Sequence, residues 1–93
     1  MKDYNDIDDV GVRKMMGALI NITLKDLNSR NSKQREEAVA WLFGLRDYSI
    51  DFRTACHVCE LSADSMLESL TKSGTVTEKE VDKVRKKYSL RRP

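Results

Sequence analysis

The residues of this sequence that most resemble a reactive centre are Cys56, His57 and Cys59, which lie within four consecutive positions. Two thiols and an imidazole at this spacing are able to bind a transition metal or to form a redox-active dithiol. A structural zinc site needs four ligands, however, and the chain has no other cysteine or histidine. A thioredoxin-type dithiol begins a helix that follows a strand, whereas these cysteines fall inside a predicted helix. We therefore expect two small, buried cysteines at a helix crossing, a surface or phosphate-facing His57, and no metal or cofactor.

Other catalytic arrangements are not recognisable in the sequence. It contains no set of nucleophile, base and acid, no glycine-rich phosphate loop and no carboxylate pair at a familiar spacing. The acidic pairs Asp8-Asp9 and Glu36-Glu37 are more simply explained as helix-start charges or solvated faces. We predict that the chain is not an enzyme.

The composition predicts an all-α fold built around one core. The chain has 93 residues, of which 40% are hydrophobic, and this is enough for one small core and too little for two. Glycine and proline are scarce, and strand-like alternation is absent. We predict a compact bundle of about five helices. Their expected bounds are Val10 to Leu27, Asn31 or Ser32 to Gly44, a third helix capped by Ser49 or Asp51, a fourth capped by Ser62, and Glu78 to Tyr88 after the capping box at Thr77 to Glu80.

Charge is unevenly distributed along the chain, although the net charge is only +2. Residues 1–9 carry a charge of −3 and residues 71–93 carry +5. We accordingly divide the chain into an acidic N-terminal segment (1–9), a single helical domain (10–88) and a basic tail (89–93). Such segregation favours a charged partner for the basic end, and a merely solvated C-terminal helix is the alternative.

The sequence carries no signal for a membrane or for export. No apolar run approaches the roughly 18 residues that cross a bilayer. The acidic beginning of the chain has neither the basic head nor the apolar middle of a signal peptide. We expect a cytoplasmic protein with reduced cysteines and no membrane contact.

The segment from Asp51 to Leu70 has the outline of a helix-turn-helix, two short helices broken near Glu60. Small residues, Ala55 and Cys56, stand where the helices should cross. The positions that should face the core are apolar, namely Cys59, Leu61 and Met66. The turn of this motif often holds glycine in a left-handed conformation, and because Glu60 stands here, we expect a longer or differently shaped turn.

The chain also resembles small helix-turn-helix proteins of phages and prophages, in which a Trp-Leu-Phe-like helix end leads through a Ser-x-x-Phe segment to a cysteine-bearing helix. The matching residues lie in the middle of the chain and are Ala40, Trp41, Leu42, Phe43, Ser49, Phe52, Cys56, Leu61 and Leu70. The resemblance implies sequence-specific DNA binding, with the helix from Ala63 to Lys72 in the major groove. Members of this type commonly carry arginine on that helix, and this chain has no cation there before Lys72.

The expected DNA-binding residues form two groups. Those expected to face the groove are Arg53, Ser62, Asp64, Ser65, Glu68, Ser69 and Lys72. Those expected on the phosphate backbone are Lys83, Arg85, Lys86, Lys87, Arg91 and Arg92. This interpretation favours a small regulator of transcription or a DNA-packaging protein of phage or mobile-element type.

Two further partners are compatible with the sequence. The helix-turn-helix scaffold could instead serve as an inhibitor or adaptor that binds a protein through an acidic surface, formed by Asp51, Glu60, Asp64 and Glu68. A homodimer formed through the Met15/Met16 and Leu/Ile stripe of the first helix is another alternative. Since a domain of this size needs apolar surface for its own core, we expect that stripe to be buried within one chain.

Overall fold

Five α-helices and their connections make up residues 3–91, the part of the chain that the computed structural model describes. They are α1 (Asp3–Asp26), α2 (Ser32–Leu42), α3 (Phe52–Val58), α4 (Ala63–Lys72) and α5 (Glu78–Arg91). No strand occurs between residues 3 and 91. The predicted all-α fold with about five helices is therefore confirmed.

The first and last helices are longer than the sequence pattern predicted. Helix α1 begins at Asp3 instead of about Val10, so most of the acidic segment continues the helix. Acidic residues favour a helix N-terminus, where the backbone amides carry partial positive charge. Helix α5 likewise runs on to Arg91, because no helix-breaking residue precedes Pro93. Arg92 and the side chain of Arg91 lie outside the described residues.

The core forms between α1, α2 and α3, with the most extensive packing between α1 and α3. The rings of Trp41 and Phe52 contact each other edge to face, with centroids 5.5 Å apart. Trp41 also donates its indole Nε1–H to the carbonyl oxygen of Ile50 at 2.9 Å, which holds the loop before α3 on the core. Phe43, two positions from Trp41, is only half-buried, as expected from their opposite directions on α2.

Local capping rules account for most of the helix ends. Gly44 ends α2 with a φ of 63°, as predicted. Asp51, and not Ser49, caps α3 by accepting a hydrogen bond from the Thr54 amide at 2.8 Å. Hydrogen bonds from the Thr54 side chain and from its amide lower the pKa of the Asp51 carboxyl group below its ordinary value. Ser62 caps α4 by accepting from the Ser65 amide at 3.2 Å.

A single arginine, Arg35 of α2, joins four parts of the chain. Its guanidinium donates to the carbonyl oxygen of Leu27 at the end of α1, and to that of Thr75 between α4 and α5 at 2.7 Å. It also binds both carboxylate oxygens of Glu80 in α5, at 2.7 and 2.9 Å. Donation of these hydrogen bonds to Glu80 raises the pKa of Arg35 above its ordinary value. We call this group of contacts the Arg35 clamp.

Helix α5 starts at Glu78 as predicted, but the clamp changes how its first turn is capped. The pattern from Thr77 to Glu80 predicted a reciprocal capping box, and its first half is present, since Thr77 Oγ1 accepts from the Glu80 amide at 3.2 Å. The carboxylate of Glu80, however, binds Arg35 and does not return to Thr77. The half-buried guanidinium gives the Glu80 carboxylate two charge-assisted hydrogen bonds from a cation, whereas a capping box would give it one from a backbone amide.

We predict that Arg35→Met lowers the free energy of unfolding by about 2 to 4 kcal/mol, because two carbonyl groups and a half-buried carboxylate lose their donor. Arg35→Lys should recover only part of this loss, since an ammonium group cannot bind Glu80 bidentately and reach both carbonyls. Urea unfolding followed by circular dichroism measures the difference.

The matched control is Arg85→Met. Arg85 pairs with Asp82 at 2.8 Å, but more than half of each side chain is exposed. We expect a change of about 0.5 kcal/mol or less for this variant. Equal effects at Arg35 and Arg85 would contradict the role given to the clamp.

Candidate nucleic-acid interface

Four residues, 59–62, connect α3 and α4, and the two helices pack against each other. Glu60 has a φ of 58°, the left-handed conformation that glycine would adopt most cheaply. The Leu61 amide donates to the Cys56 carbonyl at 2.8 Å, and the Glu60 amide donates to the His57 carbonyl at 3.1 Å. This is the Schellman arrangement of a helix C-terminus. The longer turn expected from Glu60 is not found, because the glutamate itself takes the left-handed position.

The turn also corrects two expectations about apolar residues. Leu61 was expected to face the core, but 47% of it is exposed because it follows the left-handed residue and leads away from the bundle. Cys56 is buried as expected, and this burial raises the pKa of its thiol. Cys59 is only half-buried, with its Sγ 3.6 Å from the carbonyl oxygen of Arg13.

The Cys-His-Val-Cys segment does not assemble a metal site in the described part of the chain. Residues 3–91 contain no group of three or more cysteine, histidine or acidic residues placed to hold a metal ion. His57 is exposed near the end of α3.

The predicted groove-facing residues share one exposed surface around α4. Ser65, Glu68, Ser69 and Lys72 are all exposed. The three other members of the predicted set, Arg53, Ser62 and Asp64, already have roles within the fold. The Ser62 hydroxyl caps α4, and Asp64 Oδ1 lies 2.6 Å from the guanidinium of Arg53, whose pKa it raises.

The predicted phosphate-binding residues of α5 also fall into two groups, those that form ion pairs within the fold and those that do not. Arg85 pairs with Asp82, and the Lys87 ammonium group lies 3.0 Å from the Glu36 carboxylate of α2. Lys83 and Lys86 are exposed and have no ion-pair partner among residues 3–91.

Lys79, which was left out of the predicted site, completes a line with Lys83 and Lys86. Their spacing of four and then three residues places all three on one side of α5. The buried residues of α5, Val81, Val84 and Tyr88, occupy the opposite side. We call Lys79, Lys83 and Lys86 the lysine line. The helical spacing alone would have found Lys79 and the pairing of Arg85 with Asp82, whereas the pairing of Lys87 with Glu36, 51 residues away, required the structure.

The two groups of candidate residues stand on different supports. Helix α4 packs on α3, while α5 packs on α2 and is tied to it by the Arg35 clamp. A polar, weakly charged helix surface and a separate cationic line therefore project from a common scaffold. Cationic lines bind phosphate groups, and polar helix faces can bind base edges.

Comparison of the chain with protein-family models, with curated proteins and with solved structures gave no match. Among the described residues, no helix combines the length and the apolar character that crossing a bilayer requires.

We predict that Glu60→Gly raises the free energy of unfolding by about 1 kcal/mol, because a side chain in the left-handed region is strained and glycine is not. The lost contact with Arg13, at 3.4 Å between exposed groups, should cost little. Urea unfolding of the purified variant measures the change.

Glu60→Ala separates the effect of backbone strain from the effect of the ion pair with Arg13. Alanine keeps the strained left-handed backbone but removes the ion pair. We expect its stability to match that of the original chain within about 0.5 kcal/mol. A glycine variant less stable than the alanine variant would contradict the left-handed turn.

Proposed function

We propose that this chain binds DNA, with the lysine line on the phosphate backbone and the exposed polar face of α4 toward the bases. The observation that carries the proposal is the lysine line: three exposed ammonium groups on one side of α5 without an acidic partner among residues 3–91. Binding rather than catalysis is part of the proposal. The described groups with shifted pKa values serve burial, caps and ion pairs.

The dimensions of the lysine line suit a nucleic-acid strand. Lys79 and Lys86 are seven residues apart, which corresponds to about 10 Å along a helix. A strand of duplex DNA carries one phosphate per about 3.4 Å of its axis, so the line spans about three phosphates. Because lysine binds phosphate as a point charge, such contacts add affinity without selecting a sequence.

Sequence selection would then fall to α4. The hydroxyl groups of Ser65 and Ser69 can reach either a base or a phosphate, and the Glu68 carboxylate can accept from the amino group of cytosine. Lys72 adds the single cation of this face at the end of α4. The low positive charge of α4 makes the basic α5 necessary to this proposal.

The competing acidic surface is less well supported. Of its four proposed acids, Asp51 caps α3, Glu60 contacts Arg13 and Asp64 pairs with Arg53. Glu68 is the one member of the four that has neither an ion-pair partner nor a capping role among the described residues. A partner protein would have to displace three intramolecular contacts, which favours DNA over an adaptor role.

The biological setting that we propose is the one that the sequence resemblance implies. It is a cytoplasmic protein of phage or mobile-element type that acts in transcriptional regulation or DNA packaging. The helix-turn-helix character of α3 and α4 belongs to the same proposal.

We predict that replacing all three residues of the lysine line by alanine weakens binding to duplex DNA and flattens its salt dependence. Each lost phosphate contact should reduce the slope of log K against log salt by about 0.9, and three contacts by about 2.7. Fluorescence anisotropy with a labelled duplex at several salt concentrations measures both quantities.

The matched control removes three exposed cations from α1, α2 and the loop between them, in the variant Lys14→Ala, Arg30→Ala, Lys33→Ala. It changes the net charge by the same amount but leaves α5 intact. We expect its slope of log K against log salt to differ from the original by no more than about 0.9, the value of one phosphate contact. Equal losses in the two triple variants would show that only net charge matters and would overturn the proposed phosphate site.

We predict that Glu68→Lys strengthens DNA binding and steepens the salt dependence by about 0.9, because a new cation on α4 would face the duplex. Glu37→Lys, on an exposed position of α2, makes the same charge change away from the proposed surface. If the two variants bind DNA equally well, α4 does not face the duplex.

A further inference from the structure

Helix α1 has an apolar face that points away from the core of its own chain. Met15 and Ile22 are each 56% exposed, which is unusual for side chains of this size. Gly11 and Ala18 are also exposed, and the four residues follow a 4-3-4 spacing that places them within an arc of about 60°. We call Gly11, Met15, Ala18 and Ile22 the outer face of α1. The Met15/Met16 stripe was predicted to be buried. Met16 is buried, but Met15 is exposed.

Nothing in the single chain accounts for a glycine on this face. A side chain built at Gly11 would meet no atom within 4 Å. Glycine inside a helix costs about 0.5 to 1 kcal/mol relative to alanine, so a neighbour that approaches closely at this point would explain the residue.

We propose that the outer face of α1 binds the outer face of a second copy of the chain, with the two helices antiparallel about a two-fold axis. In this register Met15 of one chain opposes Ala18 of the other, and Gly11 opposes Ile22. Each large side chain thus meets a small one, as self-complementary packing of two identical faces requires. The 4-3-4 spacing is also that of a short coiled-coil seam.

The charge along the chain favours the antiparallel direction. Residues 1–9 carry −3, and residues 10–31 carry +3. In the antiparallel register position 8, an aspartate, falls opposite Lys25 of the second chain, whereas a parallel pair would place position 8, Lys14 and Lys25 each beside its own copy. Charge complementarity and the palindromic order of large and small residues thus point to a second copy as the occupant.

This dimer does not depend on DNA binding, since no residue of the lysine line or of the exposed face of α4 lies on α1. If both proposals hold, the dimer presents two copies of α4, in keeping with DNA-binding proteins that recognise paired half-sites. The two proposals can be contradicted separately. Self-association is measured without DNA, whereas the phosphate contacts are measured from the salt dependence of DNA binding.

The test is sedimentation equilibrium of the full chain from about 1 µM to about 1 mM, the range in which a seam of this length should associate. We expect a reversible dimer. Ala18→Met places a methionine against Met15 of the second copy and should weaken the dimer by about tenfold or more. The double variant Met15→Ala, Ala18→Met restores one large and one small residue and should return the dissociation constant to within about threefold of the original.

Ser69→Met is the control, since it adds an exposed methionine on α4 and should leave the dimer unchanged. Because position 18 is exposed, we expect Ala18→Met to fold normally, and its urea midpoint checks this. A chain that stays monomeric at about 1 mM would overturn the proposal. Tighter association of Ala18→Met would also overturn it, because non-specific apolar contact grows with exposed surface whereas the proposed packing does not tolerate two methionines.

Discussion

The Arg35 clamp is the interaction on which the arrangement of the last helices depends. A half-buried guanidinium ties the end of α1, the α4–α5 connection and the start of α5 to one point on α2. Each backbone carbonyl that it satisfies belongs to a segment outside the helical hydrogen-bond ladder, where polar groups need a partner. Without the clamp, α5 would keep its thin apolar stripe, the pair between Lys87 and Glu36 and the Thr77 cap, but it would lose its polar link to the end of α1.

The position of α5 determines which of its cationic side chains are exposed without an acidic partner among the described residues. Packing of Val81, Val84 and Tyr88 on the rest of the bundle turns the opposite side of α5 to solvent, and the lysine line lies there. In the connection between α3 and α4, the left-handed turn at Glu60 sets the direction of α4. The proposed DNA surface thus depends on two fixed points, one held by a guanidinium and one by a strained backbone residue.

Local rules predicted the helix ends well, because capping depends on neighbours within a few residues. Asp51, Ser62 and Gly44 stand where those rules placed them. Long-range pairs were beyond such rules. Arg35 and Glu80 are 45 residues apart, and Lys87 and Glu36 are 51 apart. For the same reason Glu80 resembled half of a capping box, and Lys87 looked as available as Lys83. The pair of Arg85 with Asp82 is local, at a spacing of three residues on α5, and helical spacing alone could have predicted it. Leu61 was misjudged because its exposure follows from the left-handed residue before it.

A double-mutant cycle between Arg35 and Glu80 tests the clamp most directly. The free energies of unfolding of the original chain, Arg35→Met, Glu80→Met and the double variant give the coupling energy of the two side chains. A clamp that joins α2 and α5 predicts a coupling of about 1.5 to 3 kcal/mol. A coupling below about 0.5 kcal/mol, the value of an ordinary surface pair, would contradict it.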